Sequence, residues 1–328
     1  MEEIFNIQTE RDFLTAALDT FLYQYENVEV YRRFVDYLNI DPDKVESLEN
    51  IPFLPIEMFK NHLILDENSA TDLFFQSSGT TKMNLSKHFI AKPELYEESI
   101  YKSFERFIGK PEDFIFLGLL PSYLERQNSS LIYMVDYLMK KSGRPENGYF
   151  LYNHEDLLNL LNTLGDKKVI LFGVSFALLD FIDFCNSMQS GVSLAASENI
   201  TVIETGGMKG RKEEMTKDEL LKILQEGFKT NTIYSEYSMT ELLSQAYSLG
   251  NNEYECPNWM KIMIRNAEDP FSYENEGRTG AINIIDLANI HSCSFIATQD
   301  LGKTAGSKFQ VLGRIDHSDI RGCSLLVS

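Results

Sequence analysis

Apolar residues recur at helical spacing between residues 10 and 39: Phe13, Ala17, Leu18, Phe21 and Leu22, then Tyr31, Phe34 and Leu38. Steps of three and four residues place them on one face, which predicts one or two amphipathic helices at the start of the chain. Pro52 and Pro55 forbid a regular helix throughout residues 51–60, so a connection packed over the core is expected there. Helical periodicity returns over 93–107. An apolar run at 113–119, ending at Pro121, predicts a buried strand. A helix is expected over 130–140, closed by Ser142-Gly143, and another over 155–164. The short apolar run 168–173 reads as a strand feeding a helix over 174–184. The rhythm then repeats: strand 200–204, glycine turn, helix 217–228, strand 232–235 and a further helical opening at Thr240.

Strands alternating with helices imply a mostly parallel sheet covered on both faces, hence an α/β fold. The last hundred residues change character. Strand candidates at 261–265, 280–285, 294–298 and 308–312 are separated by turns, which suggests a smaller antiparallel or barrel-like β section. No internal repeat or low-complexity tract is present.

At 328 residues, 43% hydrophobic and 12% aromatic, the chain is long enough for one large domain with small appendages. Its formal charge, 30 − 49 = −19, argues against a nucleic-acid partner held through phosphates, so any nucleotide must be held by local donors. Met1-Glu2-Glu3-Ile4-Phe5 does not open a leader, and no apolar run is long enough to span a bilayer, so a cytoplasmic protein with no membrane span is expected. Cys185, Cys256, Cys293 and Cys323 are too scattered for a disulfide framework or a zinc site.

The candidate chemistry sits in five turns. In Phe74-Phe75-Gln76-Ser77-Ser78-Gly79-Thr80-Thr81-Lys82 an apolar run ends in four hydroxyl residues around one glycine, a composition suited to cradling phosphate, although a plain Ser/Thr-rich loop before a helix has the same make-up. It is not the Walker pattern. Glu204-Thr205-Gly206-Gly207-Met208-Lys209-Gly210 is either a tight connection or a backbone able to lie flat against a planar base, with Lys209 or Arg211 near phosphate. Tyr237-Ser238-Met239-Thr240-Glu241 follows a short strand, where open parallel sheets bind ligands. Thr240 and Glu241 read equally as a helix cap or as a phosphate contact and a magnesium ligand. Asp300, in Thr298-Gln299-Asp300-Leu301-Gly302, stands where a carboxylate accepts from ribose hydroxyls, or in a surface turn. Finally, Gly313-Arg314-Ile315-Asp316 precedes Arg321-Gly322-Cys323-Ser324; a cysteine there packs as a small hydrophobe or, beside Arg321 and His317, becomes an available thiolate.

In this order the turns resemble the adenylate-forming superfamily of acyl-activating enzymes, over the chain from about residue 50 to its end. More narrowly, residues 55–60, the segment from Leu120-Pro121-Ser122 to Ser130 with Arg126, the Gly206-Gly207-Met208-Lys209 turn and the Arg321-Gly322-Cys323 ending resemble the acyl-protein synthetases of the LuxE type. The resemblance implies the α/β fold of the superfamily's N-terminal domain, with αβαβα sheets plus a small β-barrel-like section and without a full C-terminal domain. It divides the chain into a helical segment over 1–50, a core over 51–312 and a hinge-like tail over 313–328. It implies ATP and Mg²⁺ as cofactors, with Ser77, Ser78, Gly79, Thr80, Thr81 and Lys82 at the phosphates and Gly206, Gly207, Lys209 and Tyr237 at the nucleotide. Asp300 would hold ribose, Arg314 the hinge contact, Thr240 a phosphate, and Glu241 the metal. Ser238, Gln299 and Lys82 stand where superfamily members usually have glycine. Lys82, Lys87, Lys209 or another basic residue would replace the lysine of the missing domain, or magnesium and the loop donors would do its electrostatic work.

The activity so implied is conversion of a carboxylic acid, a fatty acid by family, to acyl-AMP, then transfer to Cys323 as a thioester for a partner reductase or acyltransferase. Two alternatives stand beside it: a ligase using a diffusible thiol such as coenzyme A or a carrier, and a non-catalytic nucleotide-binding relative. The aromatic stretch 172–184 is a candidate acyl pocket or plain core.

Overall fold

The computed structural model of the chain describes residues 2–77, 84–121, 128–188, 199–206 and 215–315. The predicted opening helices are α1 (Glu10–Asn27) and α2 (Glu29–Tyr37). Thr9 caps α1 in a reciprocal box with Asp12, and the face carrying Phe13, Ala17, Phe21 and Gln24 is buried. The double-proline segment forms a two-residue strand, β1 (Leu54–Pro55), and a single helical turn, α3 (Met58–Asn61).

A hairpin of β2 (Phe74–Gln76) and β3 (Lys87–Phe89) stands apart from the main sheet. Next come α4 (Pro93–Phe107), β4 (Ile115–Leu119), α5 (Ser130–Ser142), β5 (Gly148–Phe150) and α6 (His154–Thr163). As the sequence indicated, α5 ends on Gly143, whose φ of 62° is the left-handed cap that glycine adopts without strain. They are followed by β6 (Val169–Val174), α7 (Ser175–Ser187), β7 (Ile200–Thr205), α8 (Lys217–Phe228) and β8 (Tyr234–Tyr237). Strands β5, β4, β6, β7 and β8 lie side by side and parallel, as the alternation requires. Phe172, Phe176 and Phe181 are fully packed in the core.

The expected helical opening at Thr240 is not there. Thr240 and Glu241 form a turn, and the chain reverses into β9 (Ala246–Ser248), antiparallel to β8. Strands β10 (Tyr254–Glu255), β11 (Met260–Arg265), β12 (Gly280–Asp286), β13 (Phe295–Ala305) and β14 (Lys308–Arg314) complete the sheet. This antiparallel section is continuous with the parallel one in the order β11-β12-β13-β14-β10-β9-β8-β7-β6-β4-β5, and β1 lies on the free edge of β13. The α/β fold expected from the sequence is therefore present, with one mixed sheet running through both sections.

Helix α1 and the chain after it close over β13. Tyr31 stacks on Phe295 at 6.0 Å, while Phe21 and Phe53 meet the same ring edge-on. Buried Gln24 donates to the carbonyls of Asn289 and Ile290, and its Oε1 accepts from the Ser294 N–H.

Candidate active site

The candidate residues fall at the ends of β7, β8 and β14, within β13, and on the hairpin. Along β13 the pairing partner changes. Ile296 and Ala297 pair with β1, whereas residues 300–305 pair with β14, with a register shift at Leu301/Gly302. Asp300 falls at that change, opposite Arg314, and its carboxylate accepts from Tyr237 Oη at 2.8 Å and from Arg314 Nε at 3.2 Å. Burial and then Asp300 push the Tyr237 hydroxyl well above its ordinary pKa, so it remains a donor. Tyr237, Asp300 and Arg314 are thus one hydrogen-bonded group drawn from β8, β13 and β14. Gln299, in place of the superfamily's glycine, bonds Glu57 in the segment after β1.

Glu241 is buried, and burial pushes its carboxyl pKa up; the Ser86 hydroxyl, Arg314 and Lys60 pull the other way. Ser86 is itself tied to the head of the candidate phosphate loop, since the Ser77 N–H donates to the Ser86 carbonyl at 3.1 Å and the Ser86 N–H to Ser77 Oγ at 3.0 Å. The residue that bonds Ser77 thus also acts on the Glu241 carboxyl, 164 residues further along the chain (241 − 77).

The absence of a helix at Thr240 has a physical cause. The Thr240 carbonyl faces His88 Nδ1 at 2.9 Å, and the Glu241 carbonyl accepts from Asn289 Nδ2 at 2.8 Å. The N–H groups of Leu243 and Ser244 donate to the Asp286 carboxylate at 2.7 and 3.0 Å. Backbone groups that would have closed the first helical turn are taken by side chains from β3, β12 and the segment after β12. Asn289 gives its second N–H to the Cys293 carbonyl, so its Oδ1 faces His88 Nε2 as an acceptor. Two acceptors flank the imidazole and favour its charged form, but burial outweighs them and pulls its pKa down to about 4.

Below the Gly206 turn, Ser175 Oγ bridges a Glu204 carboxylate oxygen at 2.5 Å and the Gly206 carbonyl at 3.1 Å. Fully buried Glu204 pairs with Lys217, the first residue of α8. Burial alone would lower the Lys217 pKa, but Glu204 and Tyr254 more than offset it. On β8, Glu236 accepts from Thr205 Oγ1 at 2.5 Å, and burial pushes its carboxyl up.

Of the residues singled out from sequence, Ser77, Gly206, Tyr237, Thr240, Glu241, Asp300 and Arg314 lie on these converging elements, and Glu241 with Arg314 and Tyr237 with Asp300 interact. Ser78, Gly79, Thr80, Thr81, Lys82, Gly207, Lys209 and Cys323 lie outside the described residues. Sequence reasoning missed His88, Asn289, Asp286, Ser86 and the Glu204–Lys217 pair. A carboxylate ending an apolar strand run marks Glu204 and Asp286 in retrospect, whereas nothing around His88 distinguishes it.

The oxygen donors at Glu241 suit magnesium. A buried carboxylate matches a hard cation that completes its shell with phosphate oxygens and water. Among the described residues no group of three or more His, Cys, Asp or Glu could hold a metal by itself.

The fold is that of the adenylate-forming ligases. The chain superposes on 2-hydroxyisobutyryl-CoA ligase, solved with 2-HIB-AMP and CoA, with a TM-score of 0.71 at 12% identity, covering 94% of this chain and 70% of that one. Against MatB from Rhodopseudomonas palustris, solved with bound ATP, the TM-score is 0.55 at 15% identity, covering 76% of this chain and 49% of that one. No curated protein matches in sequence. The sequence model of the LuxE acyl-protein synthetase family matches residues 130–328, more than half of the chain, and the protein belongs to that family. Family and fold together make it an ATP-using, AMP-forming ligase.

Proposed function

We propose that this chain activates a fatty acid with ATP and receives the acyl group on its own Cys323. A carboxylate oxygen attacks the α-phosphorus of ATP, the bond from that phosphorus to the bridging oxygen breaks, and pyrophosphate leaves. The Cys323 thiolate then attacks the acyl carbonyl, the carbonyl carbon–oxygen bond to phosphate breaks, and AMP leaves with the acyl group held as a thioester. The first step brings two anions together, so its main need is fixed positive charge and hydrogen-bond donors. Magnesium held through Glu241 would supply Lewis-acid charge at the phosphates. Asp300 would accept from the ribose hydroxyls, with Tyr237 and Arg314 fixing its orientation, while Thr240 and the loop beginning at Ser77 would donate to phosphate oxygens.

The observation that carries this reading is the hydrogen-bonded Tyr237–Asp300–Arg314 group, whose Arg314 also acts on the buried Glu241 carboxyl, in a member of an acyl-protein synthetase family. The other three cysteines support Cys323 as acceptor. Burial raises the pKa of Cys185, Cys256 and Cys293, the last to about 12, which keeps them as thiols. We place the helical segment over 1–50, the adenylating core over 51–312 and the acyl-bearing tail over 313–328. A cytoplasmic reductase or acyltransferase would collect the acyl group.

With ATP, Mg²⁺ and labelled fatty acid, the protein is expected to form a hydroxylamine-sensitive adduct that peptide mass maps to Cys323. Cys323→Ser should abolish the adduct and keep adenylation. An unlabelled protein that turns over with free coenzyme A, unchanged by Cys323→Ser, would overturn the acceptor assignment in favour of a diffusible thiol.

A further inference from the structure

The turn that carries Glu241 is built almost entirely by side chains from elsewhere. His88 lies on β3, the second strand of the hairpin whose first strand leads into the loop at Ser77. Its ring sits 2.9 Å from the Thr240 carbonyl and 2.9 Å from Asn289 Oδ1. Asn289 in turn donates to the Glu241 carbonyl at 2.8 Å. A neutral imidazole has a single N–H; carried on Nδ1 it donates to the Thr240 carbonyl, while Asn289 holds the next carbonyl of the turn. His88 and Asn289 are fully or almost fully buried, and Phe59 from α3 meets the imidazole edge-on at 5.6 Å, which fixes the ring plane. Just before β3, two residues from His88, Ser86 exchanges hydrogen bonds with Ser77 at the head of the loop.

We propose that His88, acting with Asn289, is a positioning residue that locks the phosphate-loop hairpin to the Thr240–Glu241 turn, so that the nucleotide-bound magnesium meets both in one geometry. The inference rests on the adenylating activity proposed above and adds a residue that touches neither substrate nor metal. A carboxylate on a loose turn still attracts a cation, but it loses the alignment with the hairpin that makes the two contacts simultaneous. Removal of the peg should therefore weaken the nucleotide's metal-dependent binding and leave its metal-independent binding alone.

The test compares ATP binding by calorimetry, with and without Mg²⁺, in the wild type, His88→Leu and His88→Gln, with circular dichroism confirming that each is folded. Mg²⁺ is expected to tighten ATP binding to the wild type. In His88→Leu that gain should shrink at least about tenfold, the scale of loss when an outer-shell partner is removed, while Mg²⁺-free ATP binds as before. Gln, which keeps one N–H at this position, should recover most of the gain. A folded His88→Leu with the full gain, or a Gln variant no better than Leu, overturns the proposal. If His88→Leu does not fold, Asn289→Ser carries the comparison, and an undiminished Mg²⁺ gain there overturns it as well. A wild type that binds Mg²⁺·ATP yet shows no carboxylate-dependent exchange contradicts the adenylating activity instead, which separates the two failures.

Discussion

Individual side chains hold the candidate site together, and few of them carry a sequence signature. The sequence singles out Asp300 and Glu241 as carboxylates just after strand-like runs, and the structure extends the run at 294–298 through Asp300, so that residue is buried inside β13 rather than in a surface turn. His88 was not legible, because its role comes from partners at Thr240 and Asn289, 152 and 201 residues away. Its burial has a measurable consequence. With a folded pKa of about 4 against 6.5 for an ordinary histidine, the unfolded chain binds a proton between those values that the folded chain does not. The stability this imidazole contributes is fully present above pH 6.5 and is lost as pH falls toward 4, about 3 kcal/mol in all. Glu236, Glu241 and Asp286 act with the opposite sign, since burial raises their folded pKa values and their contribution is lost as pH rises. Urea unfolding of the wild type and His88→Gln at matched pH values isolates the histidine. The stability difference between them should shift by about 3 kcal/mol in favour of the variant from pH 7 to pH 4, and a constant difference would contradict it.

Secondary-structure elements were largely legible, because periodicity is a local signal. The helix at Pro93–Phe107, the helix at Lys217–Phe228 and the Gly143 cap follow from spacing and capping residues alone. The false helix at Thr240 shows the limit. Thr-Glu before an apolar pair is a good local helix start, yet Asp286, His88 and Asn289 take its backbone hydrogen bonds. No local pattern encodes those partners. Strand β13 makes a further element-level prediction. A Cβ on Gly302 would lie 2.5 Å from the Gln310 carbonyl oxygen and 2.7 Å from the Ile282 side chain, just past the pairing change that orients Asp300. Gly302→Ala should cost about 1–3 kcal/mol by overpacking. Gly148→Ala on β5 meets nothing within 4 Å and should be neutral or slightly stabilising. Equal urea midpoints for the two would show that the tight β13–β14 approach is not required.

At the scale of the molecule, a formal chain charge of −19 leaves nucleotide binding to local donors, and a single mixed sheet carries the described candidate residues. Chain order made the order of the motifs legible, but not their convergence, which depends on β13 exchanging β1 for β14 and on the hairpin meeting the Thr240 turn through His88. The claim that this convergence binds and adenylates is tested most directly by carboxylate-dependent exchange of labelled pyrophosphate into ATP. The wild type should exchange with fatty acids in the presence of Mg²⁺, and Glu241→Gln should lose about 10²–10³-fold of that rate. A folded wild-type protein that exchanges with no carboxylic acid, or a Glu241→Gln variant that exchanges at the wild-type rate, would contradict the account.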